Sequence, residues 1–255
     1  MGKRYHALDA LRGITLISMI LYHTCWDLVW IFGNDWPWFH GAVAYWWQQS
    51  ICWTFILLSG FCQPFGKRKL RRAAMVFGSG VLITAVTVLL MPSNRVVFGV
   101  LTLIGSCMGI WILLEKPLEK VPALPGLLAS LLLFVVCRDV NRGMLGFEGQ
   151  FCLARLPEGL YRGWLMTWLG FPDPEFYSVD YFSLFPWVFL YAAGYFCNRA
   201  LSRTVGLDWL DRPKIGGLEW IGRRSLLLYL LHQPAVYALL WALQQIQACV
   251  SEVLC

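Results

Sequence analysis

The sequence predicts an all-α fold: a polytopic, integral membrane bundle of about seven transmembrane helices, N-terminus in and C-terminus out. Three observations carry that expectation. Of 255 residues, 58% are hydrophobic and only 14% are charged, against about 25% charged in a soluble domain. Seven apolar runs approach the ~20 residues that a spanning helix needs. The basic residues fall mostly on alternate loops. A soluble globule of this composition would expose large apolar patches, and disorder requires the opposite composition. The net charge of +6 is small and follows topology, so nucleic acid is not an expected partner. Nine cysteines show no C-x-x-C and no paired Cys/His spacing, which leaves no zinc or disulfide framework. Most lie in apolar runs, where Cys packs as a small hydrophobe.

In chain order the runs are 10–32, 42–61, 73–91, 97–114, 123–136, 182–197 and 225–249. The fifth is short. The stretch 156–171 is apolar but holds Glu158 and Arg162. It reads as an amphipathic or re-entrant piece, with an eighth span as the alternative. With the N-terminus inside, the inner segments hold 15 of the 21 Lys and Arg residues and the outer segments 5, with Arg12 inside the first run. That is a positive-inside signal. Counted by halves, the inner side carries a net +10 and the outer side −4. The first run is too long for a signal peptide and has no small-residue cleavage site, so it reads as a retained anchor. No repeat at a period of 20–50 residues is visible. The chain reads as one domain over 1–255, with an outer loop region at about 138–180. That region is rich in Gly, Pro and aromatic residues and is expected to fold over the outer mouth.

Polar residues inside apolar runs are the first place to look for chemistry, because a charge at the bilayer centre costs at least about 2.5–3.5 kcal/mol. The first run reads HALDALRGITLISMILYHTCWDLVWIF. Arg12 and His23 are eleven residues apart, which puts them on one helix face at roughly 16 Å. Asp27 follows His23 by four, on the same face, where a carboxylate orients an imidazole and raises its basicity. Asp9 precedes Arg12 by three and is its natural partner. The plainer reading makes Arg12 an interfacial anchor and His23 a packed core residue. Four such residues on one stripe favour function.

His40 begins the second run, in DWPWFHGAVAYWWQQS. Its alternatives are an interfacial aromatic belt with Trp36, Trp38, Trp46 and Trp47, or a base. The short loop of about ten residues over 32–41 makes the first two helices antiparallel neighbours, so His40 is expected to share an outer cavity with His23. Gln48 and Gln49 lie deeper, and one of them should face the interior, since a lipid-facing amide is unsatisfied. His232 precedes Pro234 by two in SLLLYLLHQPAVYALL. It reads equally as an interhelical hydrogen bond at a proline kink or as a ligand contact. The basic clusters 66–72 and 199–224 serve topology and anionic lipid, or ligand phosphates.

ALDALRGITLISMILYH resembles the signature of the transmembrane acyltransferase superfamily, an Arg followed eleven residues later by a His on the first helix. Within it, the closer resemblance is to the bacterial group related to the heparan-alpha-glucosaminide N-acetyltransferase catalytic domain. His40 through FILLSGF resembles that group's second helix. VVFGVLTLIGSCMGIWILLE, with Arg95 just before it, resembles the fourth, and DYFSLFPWVFLYAAGYF and SLLLYLLHQP resemble the late helices. The likeness covers most of 5–115 and 180–235. The chain is shorter than the glucosaminide enzyme and lacks the extra length of its luminal domain, so heparan sulfate is not carried over as the acceptor.

The resemblance implies transfer of an acyl group, here acetyl, from cytoplasmic acetyl-CoA or another acyl-CoA to a hydroxyl or amine of an extracytoplasmic acceptor such as a sugar or glycan. Arg12 corresponds to the family's CoA-side arginine, with Asp9 and Arg95 assigned beside it to the donor. For the base the resemblance points two ways: to His23 in the O-acyltransferase branch, and to His40 in the glucosaminide branch. Asp27 accompanies either, and Gln48 and His232 are candidate acceptor contacts. No metal is called for. The expected location is a bacterial cytoplasmic membrane, multi-pass. The expected partners are acyl-CoA, the acceptor and the lipid bilayer, with a second copy of the chain left open. The rival class is a transporter or exporter of a small polar metabolite, with Arg12, His23 and Asp27 lining its path.

Overall fold

The computed structural model describes residues 5–212 and 215–254. Lys3, Arg4 and Lys214 of the charge count lie outside these residues. The described chain is mostly helical, and each of the seven apolar runs becomes one helix. These are α1 (His6–Trp30), α2 (Ala42–Phe61), α3 (Lys69–Leu90), α4 (Val100–Glu119), α5 (Ala123–Val136), α7 (Trp187–Thr204) and α9 (Ser225–Leu254). Two short helices complete the set, α6 (Trp164–Leu169) and α8 (Gly216–Arg223). Proline marks several boundaries: Pro92 follows α3 and Pro122 precedes α5, where its fixed φ and missing N–H are tolerated.

Among the described residues, three helices are long and apolar enough to cross a membrane: α3, α4 and 225–247 of α9. Their exposed side chains are apolar too. Met75, Val81, Leu82 and Val86 on α3, and Leu227, Leu231, Leu239 and Leu243 on α9, all face outward. Such a greasy exterior suits lipid rather than water. On α1 the outward residues are Leu11, Ile14, Ile17 and Leu21, while Asp9 and Asp27 are buried. The polar stripe read from the sequence is therefore turned inward.

The chain divides into two compact units, 3–55 with 208–255, and 56–207. In the first, α1 lies along α8 and against α9. The α1–α8 approach is close because of reciprocal glycines. A Cβ at Gly13 would meet the Leu218 carbonyl, and one at Gly222 would meet the Asp9 carbonyl. In the second unit α3 lies along α4, and α5 along α7.

The stretch 156–171, for which an eighth span was the alternative, holds only the six-residue α6 and a single 3-10 turn, Glu158–Leu160. Six residues rise about 9 Å, far short of a hydrocarbon core. The connection around it has its own structure, including a hairpin that no periodicity in the sequence announces. Strands β1 (Met144–Phe147) and β2 (Phe151–Arg155) pair antiparallel. Arg138 bonds Glu148 at 2.7 Å, and the Asp139 carboxylate accepts the Gly149 N–H at 2.9 Å, which ties down the turn. Further on, 177–182 runs beside 95–98. Val179 N–H donates to the Arg95 carbonyl at 3.1 Å, and Phe182 N–H to the Phe98 carbonyl at 2.8 Å. The Asp180 carboxylate accepts from the Val100 N–H at the start of α4.

Candidate functional site

In the first unit, the C-terminal half of α1 meets α9 in a polar cluster. His23 and Asp27 sit one turn apart on α1, as their i, i+4 spacing requires. From α9, His232 brings its ring to 4.9 Å from that of His23. The next residue, Gln233, donates from Nε2 to Asp27 Oδ1 at 2.6 Å. Asp27 is fully buried and His232 is 9% exposed. His232 Nδ1 donates to the Tyr229 carbonyl at 2.5 Å. A carbonyl only accepts, so the proton on a neutral ring sits at Nδ1 and Nε2 keeps its lone pair. That Nε2 is buried and has no partner, and the same holds for Asp27 Oδ2 and Gln233 Oε1. Buried polar atoms are normally bonded. Three acceptors left bare on two facing helices are able to accept from the N–H or O–H groups of a ligand.

His40 is not part of this cluster. It ends a short 3-10 turn, Pro37–His40, and is exposed. Its ring stands edge-on to Trp30 at 5.1 Å. Trp30 lies seven residues beyond His23, about 10 Å further along α1. The structure thus brings His23 to His232 rather than to His40. Gln49, not Gln48, is the buried amide of its pair. It accepts from Trp53 Nε1 at 3.0 Å and donates to Gln48 Oε1 at 3.4 Å.

The other end of α1 is charged. Arg12 Nη1 bonds Asp9 Oδ1 at 3.0 Å, the pairing expected from their spacing. His6 Nδ1 contacts Glu219 Oε2 at 2.6 Å and its Nε2 lies 3.7 Å from Asp211. Arg223 lies 4.0 Å from Glu219. The hydrogen bond from His6, with Arg223 nearby, holds the Glu219 carboxyl below the usual range. Arg224 stacks over the Trp220 ring at 4.4 Å. Arg95 belongs to the second unit. Its Nε donates to the Tyr177 carbonyl at 3.1 Å and its guanidinium stands over that ring at 5.4 Å. Arg95 is thus engaged in holding 177–182.

Two participants escaped the sequence reading. Gln233 was passed over, although an amide directly before Pro234 in an apolar run is the same kind of signal as His232. His6 was passed over beside the stronger Arg12 pattern; its partner Glu219 lies 213 residues away, beyond any local pattern.

Long apolar helices around an interior that holds unpartnered histidine, carboxylate and amide atoms define a helical membrane protein. The chain belongs to the heparan-alpha-glucosaminide N-acetyltransferase catalytic family, whose model matches residues 4–234. This is a family of membrane acetyltransferases. No curated protein and no solved structure matches the chain.

Proposed function

We propose that the protein is a membrane acyltransferase that moves an acetyl group from cytoplasmic acetyl-CoA to a hydroxyl or amine of an extracytoplasmic acceptor, of the sugar or glycan class. Family membership supports the acetyl donor. The observation that carries the site is the bare His232 Nε2, buried against His23 with Asp27 beside them.

In this reading His232 Nε2 takes the proton of the acceptor as its oxygen or nitrogen attacks the thioester carbonyl. The C–O or C–N bond forms, the C–S bond breaks, and the proton passes to the departing CoA thiolate. His23 shares the proton or orients the attacking group. Asp27 holds the outer end of the cluster through Gln233. General-base assistance of this kind is typically worth about 10²–10⁴ in rate. At the inner end, Arg12, Arg223 and Arg224 suit the phosphates of CoA, because guanidinium groups pair with phosphate oxygens. Asp9 positions Arg12. The resemblance also points to Arg95 for the donor, but with the N-terminus inside Arg95 falls on the outer side, so this reading gives it no contact with CoA. Gln48 is kept as a candidate acceptor contact.

This function needs an inner donor and an outer acceptor. The 15-to-5 distribution of basic residues supports seven spans, N-in and C-out, in a bacterial cytoplasmic membrane. A second reading gives the base to His40. The family resemblance points there, and its exposure at the outer end of α1 suits a residue that meets the acceptor first.

The test is CoA release by purified protein in detergent, given labelled acetyl-CoA and a panel of sugars and amines. Acetylated acceptor in the wild type and its loss in His232→Ala support the buried site. Loss in His40→Ala alone moves the base to His40. Absence of CoA release from every acceptor, with transport of a polar solute into vesicles, would favour the exporter.

A further inference from the structure

Gln233 is oriented by its neighbour. A carboxylate has no hydrogen to give, so the amide must turn its NH₂ toward Asp27 Oδ1, and the 2.6 Å contact shows that bond. This leaves the amide carbonyl facing away, as an acceptor. Oε1 is buried and unpartnered, and so is Asp27 Oδ2. Both free oxygens belong to groups joined by that one hydrogen bond, so they lie in one buried neighbourhood. The pair offers lone pairs and no hydrogens.

We infer that Asp27 Oδ2 and Gln233 Oε1 form a paired acceptor that holds the recipient of the acyl group through two N–H or O–H hydrogens. The pair then selects a neutral polyol or an amine over an anionic or apolar recipient, with Asp27 supplying the charge and Gln233 the second acceptor. This rests on the acetyltransferase reading of the same cluster for its biological sense, but not for its geometry. A bare acceptor pair in a buried site rejects an apolar group because its own oxygens stay unbonded. It rejects an anion because a second negative charge meets Asp27.

The experiment measures binding to the full chain in detergent by calorimetry, with CoA present instead of acetyl-CoA so that nothing reacts. The probes are glucosamine, methyl glucoside and glucuronate. Wild type should bind the first two and not the third. Gln233→Met should weaken both by about three- to tenfold, the worth of one net hydrogen bond, and leave the CoA dissociation constant unchanged. Gln233→Glu places a second carboxylate in the pair and should shift the ratio toward glucosamine over methyl glucoside. If Gln233→Met fails to fold, that ratio decides. A wild type that binds neither sugar, a Met variant that binds like wild type, or an unshifted ratio in the Glu variant would overturn the assignment. Acetyl-CoA turnover is read separately. Sugar binding without any CoA release sinks the acetyltransferase reading and leaves Gln233 in place. CoA release with Gln233-independent sugar binding does the reverse.

Discussion

His232 Nδ1 is committed to the Tyr229 carbonyl, and that bond sets what the ring can still do. With Nδ1 donating, Nε2 carries the lone pair, and that is the atom able to take a proton. His232→Ala and His23→Ala should each lower acetyl transfer by about 10²–10⁴ while acetyl-CoA affinity stays within a few-fold, read from kcat and a separate donor titration. Donor affinity falling as steeply as kcat would place these rings in the donor site instead. Arg12 makes the converse prediction. Arg12→Ala should weaken acetyl-CoA binding roughly ten- to a hundredfold, the loss of a charge-assisted contact. Arg12→Ala also removes one partner of the buried Asp9, so Asp9→Asn/Arg12→Ala should fold at least as well as Arg12→Ala and still lack donor affinity. At this scale the sequence exposed Arg12, His23 and Asp27, because one helix period fixes their common face. It placed His40, across the short first loop, as the neighbour of His23, whereas the ring beside His23 is that of His232. The neighbour depends on which helix packs against α1, and α9 lies some two hundred residues downstream.

Helix against helix, the tolerances are those of a backbone carbonyl. A methyl group at Gly222 would run into the Asp9 carbonyl. Gly222→Ala should therefore destabilise by about 1–3 kcal/mol and disturb the Asp9–Arg12 pair. Gly109 on α4 has nothing within 4 Å of an added Cβ, so Gly109→Ala should leave the melting temperature unchanged or raise it. Thermal unfolding of the two variants in detergent checks the contrast. The start of α4 carries a pH signature. Burial pushes the Asp180 carboxyl up from 3.8 to about 6, against the opposing Val100 N–H. A raised folded value favours the protonated form. Its stabilisation is therefore full below about pH 4 and is lost as pH rises through about 6. The loss is at most about 3 kcal/mol. The melting temperature of wild type should fall relative to Asp180→Asn between pH 4 and 7. A constant difference across that window would contradict it.

For the molecule as a whole, topology is the property on which the proposed reaction depends. With seven spans, reporter fusions after Ser251 and within 67–72 should lie on opposite sides of the membrane. The same side would mean an even number of crossings, and α6 is too short to supply the extra one. The composition and the seven apolar runs determined, without help from tertiary structure, that this is a helical membrane protein. Length and hydrophobicity decide a helix locally, and α2 and α5 occupy the predicted intervals (Ala42–Phe61 and Ala123–Val136). The inward face of α1 was equally legible, because 3.6-residue periodicity is a local property. Tertiary structure alone decided that His232 and Gln233, rather than His40, complete the cluster with His23 and Asp27. It alone paired His6 with Glu219, and it folded 144–155 into a hairpin inside an otherwise helical chain. Those outcomes rest on contacts between distant segments, whose register is set by close backbone approach and by which buried polar atoms find partners. No local periodicity encodes either.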